Sequence, residues 1–187
     1  MQLLIVRHAI AEERETWAPR DDALRPLTSD GKKKMKESAK GLRALVPKLD
    51  VLATSPLTRA MQTAQILSKV YDKPEPTVAD VLSPGQRPAA VVAWLRTQSA
   101  HKTVAVVGHE PGLGSLGTWL CAGIERSFLD LGKGGACLIE LAERIEAGEA
   151  SGRLTLAASR AAAARTSLIL DDLPVEHDAN IENALAV

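Results

Sequence analysis

At 187 residues the chain is long enough for one compact domain, and its 23 Lys and Arg balance its 23 Asp and Glu. A formal net charge of zero gives no bulk attraction to nucleic acid or to an acidic membrane surface, so any anion must be held by a local cluster. Three Trp, one Tyr and one Phe are too few for the aromatic platforms that stack single strands.

The chain opens MQLLIVRHAI, an apolar run from Leu3 to Val6 that stops at Arg7 and His8 and reads as a strand buried on both faces. It is too short for a signal peptide and no basic residue precedes it. AEERETWAPRDDALRP, residues 11–26, is charged and aperiodic, and is expected to be a loop that orders when something binds. LTSDGKKKMKESAKGLRALVP then predicts a helix capped by Thr28 or Ser29, with Met35, Ala39, Leu42 and Leu45 on its apolar face and Pro47 as its stop. Its run of lysines, Lys32, Lys33, Lys34 and Lys36, reads as a solvated face.

DVLATSP predicts a second strand and RAMQTAQILSKVY a second helix. KPEPTVADVLSPGQRP reads as a loop leading to a helix around AAVVAWLRTQ. TVAVVGHEPG is a third apolar strand, halted at Gly108 and His109, and GLGSLGTWLCAG a helix. GKGGACLIELAE suggests a turn into a fourth strand, and GRLTLAA a fifth. Strands alternating with helices throughout predict an α/β protein, a three-layer α/β/α sandwich on a mainly parallel sheet, in one domain over 1–187. SRAAAARTS has helix propensity but no amphipathic face, so residues 159–187 are read as a peripheral segment. No stretch is long and apolar enough to cross a membrane. Cys121 and Cys137, without metal-ligand spacing, read as reduced thiols of a cytoplasmic protein.

The chemistry gathers at the strand ends. Ligands of open α/β sheets bind where the carboxyl ends of the strands emerge, so parallel neighbours would bring Arg7, His8, Arg59 and His109 to one edge. Arginine offers a planar fork that matches phosphate oxygens in pairs. A neutral imidazole nitrogen can attack phosphorus, and nearby guanidiniums keep the ring neutral. The other ring nitrogen must donate, most simply to a carbonyl of the following loop. The helix after His109 would add the N–H groups of its first turn. No metal and no other cofactor is expected, because no His and carboxylate cluster has ligand spacing.

These residues carry a resemblance. LIVRHAIAEER resembles the RHG-type signature of the histidine phosphatase superfamily, whose fold is that of cofactor-dependent phosphoglycerate mutase. LTSDGKKKMK, TSPLTRAMQTAQIL and VAVVGHEPGLG are similar to its later blocks, in order, over residues 1–145. The resemblance implies that His8 is the phosphorylated nucleophile and that Arg7, Arg59 and His109 bind the phosphoryl group. RHAIAEER, the short chain and the brief stretch between Arg59 and His109 look most like the SixA-type phosphohistidine phosphatases. That short stretch leaves little room for the helical lid of larger members and implies a shallow, open cup.

Ala9 replaces the usual Gly after the histidine, which is tolerable unless the backbone there needs positive φ. Asp80 and Glu110 are the two acidic residues placed to protonate a leaving group, and either is open to a purely structural reading. A phosphohistidine substrate needs such an acid least, because imidazole leaves more readily than alkoxide. The expected activity is therefore hydrolysis of phosphohistidine on a signalling protein such as a histidine phosphotransfer domain. A broad small-molecule phosphomonoesterase is the alternative within the class, and a non-catalytic phosphate-binding module the alternative outside it.

Overall fold

The computed structural model describes residues 1–17, 21–124 and 127–141, together with the strand backbones Arg153–Ala157 and Arg165–Ile169. In chain order the elements are β1 (Gln2–Arg7), α1 (Ser29–Leu45), β2 (Val51–Thr54), α2 (Thr58–Tyr71), β3 (Thr77–Val78), α3 (Pro88–Thr97), β4 (Thr103–Gly108), α4 (Gly112–Ala122), β5 (Ala136–Glu140), β6 (Arg153–Ala157) and β7 (Arg165–Ile169). Single 3₁₀ turns sit at Asp22–Leu24 and Asp80–Leu82.

The strands form one seven-stranded sheet in the order β3-β2-β4-β1-β5-β6-β7. β3, β2, β4 and β1 run parallel. The pairings of β5 with β1, β6 with β5 and β7 with β6 are antiparallel. The α/β expectation holds, and the parallel part of the sheet ends at β1: β5, which follows α4, pairs with it antiparallel.

Alternate side chains of the central strands serve two helical layers, as the period of two requires. Leu3 and Ile5 of β1 and Val104 and Val106 of β4 pack with Leu95 of α3 and with Leu113 and Leu116 of α4. Leu4, Val6, Ala105 and Val107 face Met35 and Ala39 of α1 and Ala64 and Leu67 of α2. A strand covered on both sides has no polar face, which is why β1 and β4 read as continuous apolar runs.

Thr28 caps α1, its hydroxyl accepting the Gly31 N–H at 2.9 Å. Gly31, Met35, Ala39 and Leu42 form the buried stripe, whereas Leu45 at the last turn is exposed. The lysines of α1 are solvated, with Lys34 paired to Asp30 and Lys40 to Glu37.

Three loop expectations change. The polar stretch after His8 contains a 3₁₀ turn, Asp22–Leu24, whose Asp22 is ion-paired to Arg14, Arg25 and Arg59. Residues 73–88 hold a short strand and a second 3₁₀ turn. Within the segment read as peripheral, Arg165–Ile169 forms β7, pairing with β6 at the sheet edge. The Ala tract at 161–164 and the tail from residue 170 lie outside the described residues. Cys121 and Cys137 are both buried free thiols. Among the described residues no helix is long and apolar enough to cross a membrane.

Candidate functional site

Sheet register builds the site. Arg7 of β1 lies level with Gly108 of β4, so His8 and His109 leave adjacent parallel strands side by side. Their ring centroids are 5.1 Å apart and tilted by 54°. Thr54 of β2 is level with Val107, which brings Ser55 beside the same point. The ladders continue past the strand ends: the His8 N–H donates to Gly108 O and the Ser55 N–H to Val107 O.

His8 is buried, and its Nδ1 lies 2.7 Å from the Ala9 carbonyl. A carbonyl only accepts, so Nδ1 carries the proton and Nε2 keeps its lone pair. The loop expectation for the second ring nitrogen is thus met by the next residue. The His8 carbonyl accepts the N–H of Gly134 at 3.1 Å. Gly134 has φ +76°, a conformation that suits glycine because it lacks Cβ. Ala9 is not among the positive-φ residues, so its methyl is accommodated.

Thr63 joins the nucleophile's strand end to the second arginine. Its hydroxyl accepts the Ala9 N–H at 3.1 Å and donates to Arg59 O at 2.7 Å. Arg59, on the first turn of α2, is 3% exposed. Its two terminal nitrogens donate to Asp22, one to the main-chain oxygen at 2.7 Å and one to Oδ2 at 3.0 Å. Arg7 donates to the Leu131 carbonyl and lies 3.6 Å from exposed Asp130. His109 is buried, with Nε2 at 2.9 Å from Ser55 Oγ.

Three nitrogens of this cluster are buried with no partner: Arg7 Nε, Arg59 Nε and His109 Nδ1. Buried polar groups are normally satisfied, and the two orphaned guanidinium Nε donors beside an orphaned ring nitrogen mark this strand edge as the candidate anion site. Burial, first of all, lowers the His8 pKa to about 4; the Ala9 bond opposes this, and the charges of Arg59, Arg7 and Arg25 add to it. Burial likewise takes His109 to about 3, aided by His8, Arg59 and Arg25 and opposed by Asp22. Both rings are neutral at pH 7.

Glu110 is held by main-chain amides. Its Oε2 accepts the Gly114 N–H and its Oε1 the Leu131 N–H, each at 3.1 Å, which fixes the carboxylate as an acceptor at the start of α4. The first-turn amides of that helix are accordingly engaged: Leu113 and Ser115 donate to His109 O and Pro111 O. The expectation that they cradle an anion is not met by these three. Asp80 is exposed on its 3₁₀ turn, one residue before the lining of a cleft begins at Val81. That cleft, of about 230 Å³, borders His109 and is walled by Leu82, Pro84, Pro88, Val91 and Leu113.

Sequence reasoning did not find Asp22, Arg25, Ser55 or Thr63. Asp22 binds Arg14, Arg25 and Arg59, and Arg25 also donates to the Glu12 carbonyl at 2.6 Å. Arg59 is therefore buried with Asp22 on both its terminal nitrogens, whereas the Arg7 side chain remains partly exposed. Among the described residues no three His, Cys, Asp or Glu side chains gather as a metal ion requires.

The fold and the edge cluster define an α/β protein whose candidate site lies at the carboxyl ends of its parallel strands. The sequence model for the histidine phosphatase superfamily (branch 1) matches residues 3–83, and the chain belongs to that superfamily. An uncharacterized protein of Picosynechococcus sp. is 37% identical over 137 residues, 72% of this chain and 82% of the relative. The structure of the protein histidine phosphatase SixA complexed with tungstate superposes with a TM-score of 0.71 at 22% identity, covering 92% of this chain and 99% of the other. The alpha-ribazole phosphatase of Shigella flexneri superposes at 0.62 with 17% identity, over 80% and 98%. At these identities the two structures establish the shared fold.

Proposed function

We propose that the protein is a metal-independent phosphatase that works through phosphorylated His8, and that its substrate is phosphohistidine displayed on a protein. The observation that carries the reading is the His8 ring: buried, neutral, with Nδ1 tied to Ala9 O and Nε2 left nucleophilic in a cluster that holds the unpartnered Nε donors of Arg7 and Arg59. Nε2 attacks phosphorus as the bond to the leaving group breaks. Arg7, Arg59 and His109 take up the charge that develops on the phosphoryl oxygens. Water then attacks phospho-His8, releases inorganic phosphate and restores the ring.

Two features favour phosphohistidine over a sugar phosphate. Glu110 is held by two main-chain amides and Asp80 is exposed beside the cleft, so neither is fixed on a leaving group, and a departing imidazole needs such an acid less than an alkoxide does. The cleft beside His109 is walled mainly by apolar side chains, with Ser83, Gln86, Glu110 and Ser115 as its polar lining, which suits a leaving group poorer in hydroxyls than a sugar. Fold likeness to a structure of the protein histidine phosphatase SixA supports the same choice, and likeness to an alpha-ribazole phosphatase keeps the small-molecule alternative in the test.

The test is phosphate release from a phosphorylated histidine phosphotransfer domain and from para-nitrophenyl phosphate, with wild type beside His8→Ala. Rapid release from the phosphoprotein alone, lost in the variant, is the expected result. Equal release from both substrates would mean a broad phosphomonoesterase. Phosphate binding without release from either would mean a binding module.

A further inference from the structure

Both terminal nitrogens of Arg59 are occupied by one residue, Asp22, which lies 37 positions away in the sequence. Asp22 uses two different groups for this, its main-chain oxygen and its carboxylate. The carboxylate is itself anchored from outside: Arg25 Nε donates to Oδ1 at 2.9 Å and Arg14 Nε at 3.2 Å. Arg25 is tethered in turn to Glu12 O. The turn that carries Asp22 is built locally, since the Asp21 side chain caps it by accepting the Ala23 N–H at 2.9 Å.

A guanidinium has five N–H donors in a fixed plane. Asp22 engages one on each terminal nitrogen, and the Nε donor is buried and unpartnered. We propose that Asp22 is a positioning residue: it grips the far end of the Arg59 guanidinium and so aims the edge that carries Nε at the phosphoryl group. The inference rests on the phosphoryl site argued above. A carboxylate that merely competed with phosphate would need to be free to leave, and this one is held by three arginines. Burial raises the Asp22 pKa, but the bonds from Arg14 and Arg25 and the charges of Arg59 and Arg25 outweigh this and set it at about 2. The clamp is therefore charged at any working pH, and Asp22 is no proton donor.

The experiment is calorimetric titration of inorganic phosphate into wild type, Asp22→Ala, Asp22→Asn, Arg59→Ala and the double variant Asp22→Ala/Arg59→Ala, with the melting temperature of each. Asp22→Ala should weaken phosphate binding about tenfold, the scale of a lost hydrogen bond to a charged group. Asp22→Asn should lose less, since its amide oxygen and main-chain carbonyl still accept from Arg59. On the Arg59→Ala background, removing Asp22 should change binding no further, because its effect runs through that side chain. Unchanged or tighter binding in Asp22→Ala overturns the proposal, as does a full loss that persists without Arg59. If Asp22→Ala does not fold, Asp22→Asn carries the comparison. A wild type that binds phosphate in this Asp22-dependent way, yet hydrolyses no substrate, would sink the phosphatase reading and leave the clamp standing. Failure of wild type to bind phosphate would overturn both.

Discussion

His8 owes its reactivity to its immediate neighbours. The Ala9 carbonyl fixes its tautomer, and burial with three nearby guanidiniums keeps it uncharged. Only the neutral ring attacks phosphorus, so kcat/KM should fall with acid as pH passes through about 4, well below the ordinary histidine value of 6.5. The check is a pH profile with the substrate's own ionisation divided out; an acid limb near 6.5 would contradict a desolvated ring. Arg7 and Arg59 act on the charge that develops. Arg7→Ala and Arg59→Ala should each lower kcat/KM by about 10²- to 10³-fold, the scale of removing one donor from an oxyanion hole. Steady-state kinetics within twofold of wild type for either would remove that residue from the site.

The elements matter through how tightly they hold the ends of β1 and β4 together. The first turn of α1 lies against the chain just beyond His8, where a Cβ on Gly31 would sit 2.1 Å from Ile10 O. Because that obstacle is backbone, Gly31→Ala should push the helix away and cost about 1–3 kcal/mol in denaturant unfolding, with a loss of turnover as the loop after His8 shifts. A variant as stable and active as wild type would show that this contact is dispensable. The same elements show what a sequence discloses. The apolar runs of β1 and β4 and the spacing of Met35, Ala39 and Leu42 follow from burial, and the meeting of Arg7, His8 and His109 follows from parallel neighbours. Asp22 and Arg25 were not legible, because they reach Arg59 from an aperiodic charged loop where no spacing marks a partner. The reversal at β5 was hidden for a related reason: an apolar run signals burial and carries no direction. Glu110 stood beside His109 in the sequence, yet its carboxylate turns to the Gly114 and Leu131 amides, a choice set by where the chain returns after α4.

At the scale of the whole molecule, a neutral chain keeps a cationic site by burying it at the centre of one sheet edge. The cost appears as acid sensitivity. Both rings titrate near 6.5 when unfolded, but at about 4 for His8 and about 3 for His109 when folded. Below 6.5 the unfolded chain binds more protons, so stability present above that pH is lost as pH falls toward these values. For His8 the loss is about 3 kcal/mol, and urea unfolding at pH 7 and 4.5 should show a smaller difference in His8→Gln than in wild type. An identical difference in the two proteins would mean that His8 is not held neutral by the fold. Chelation gives a second test at this scale: activity should survive EDTA, and its loss would require a metal that the proposed chemistry does not use.

The central claim is the covalent step, and it is tested most directly by trapping. The enzyme is mixed with phosphorylated substrate, quenched in base, where phosphohistidine survives, and mapped by mass spectrometry. The account predicts one phosphoryl group on His8, absent from His8→Ala and lost on acidification. Turnover with no phosphorylated enzyme, or with the phosphoryl group on another residue, would contradict it.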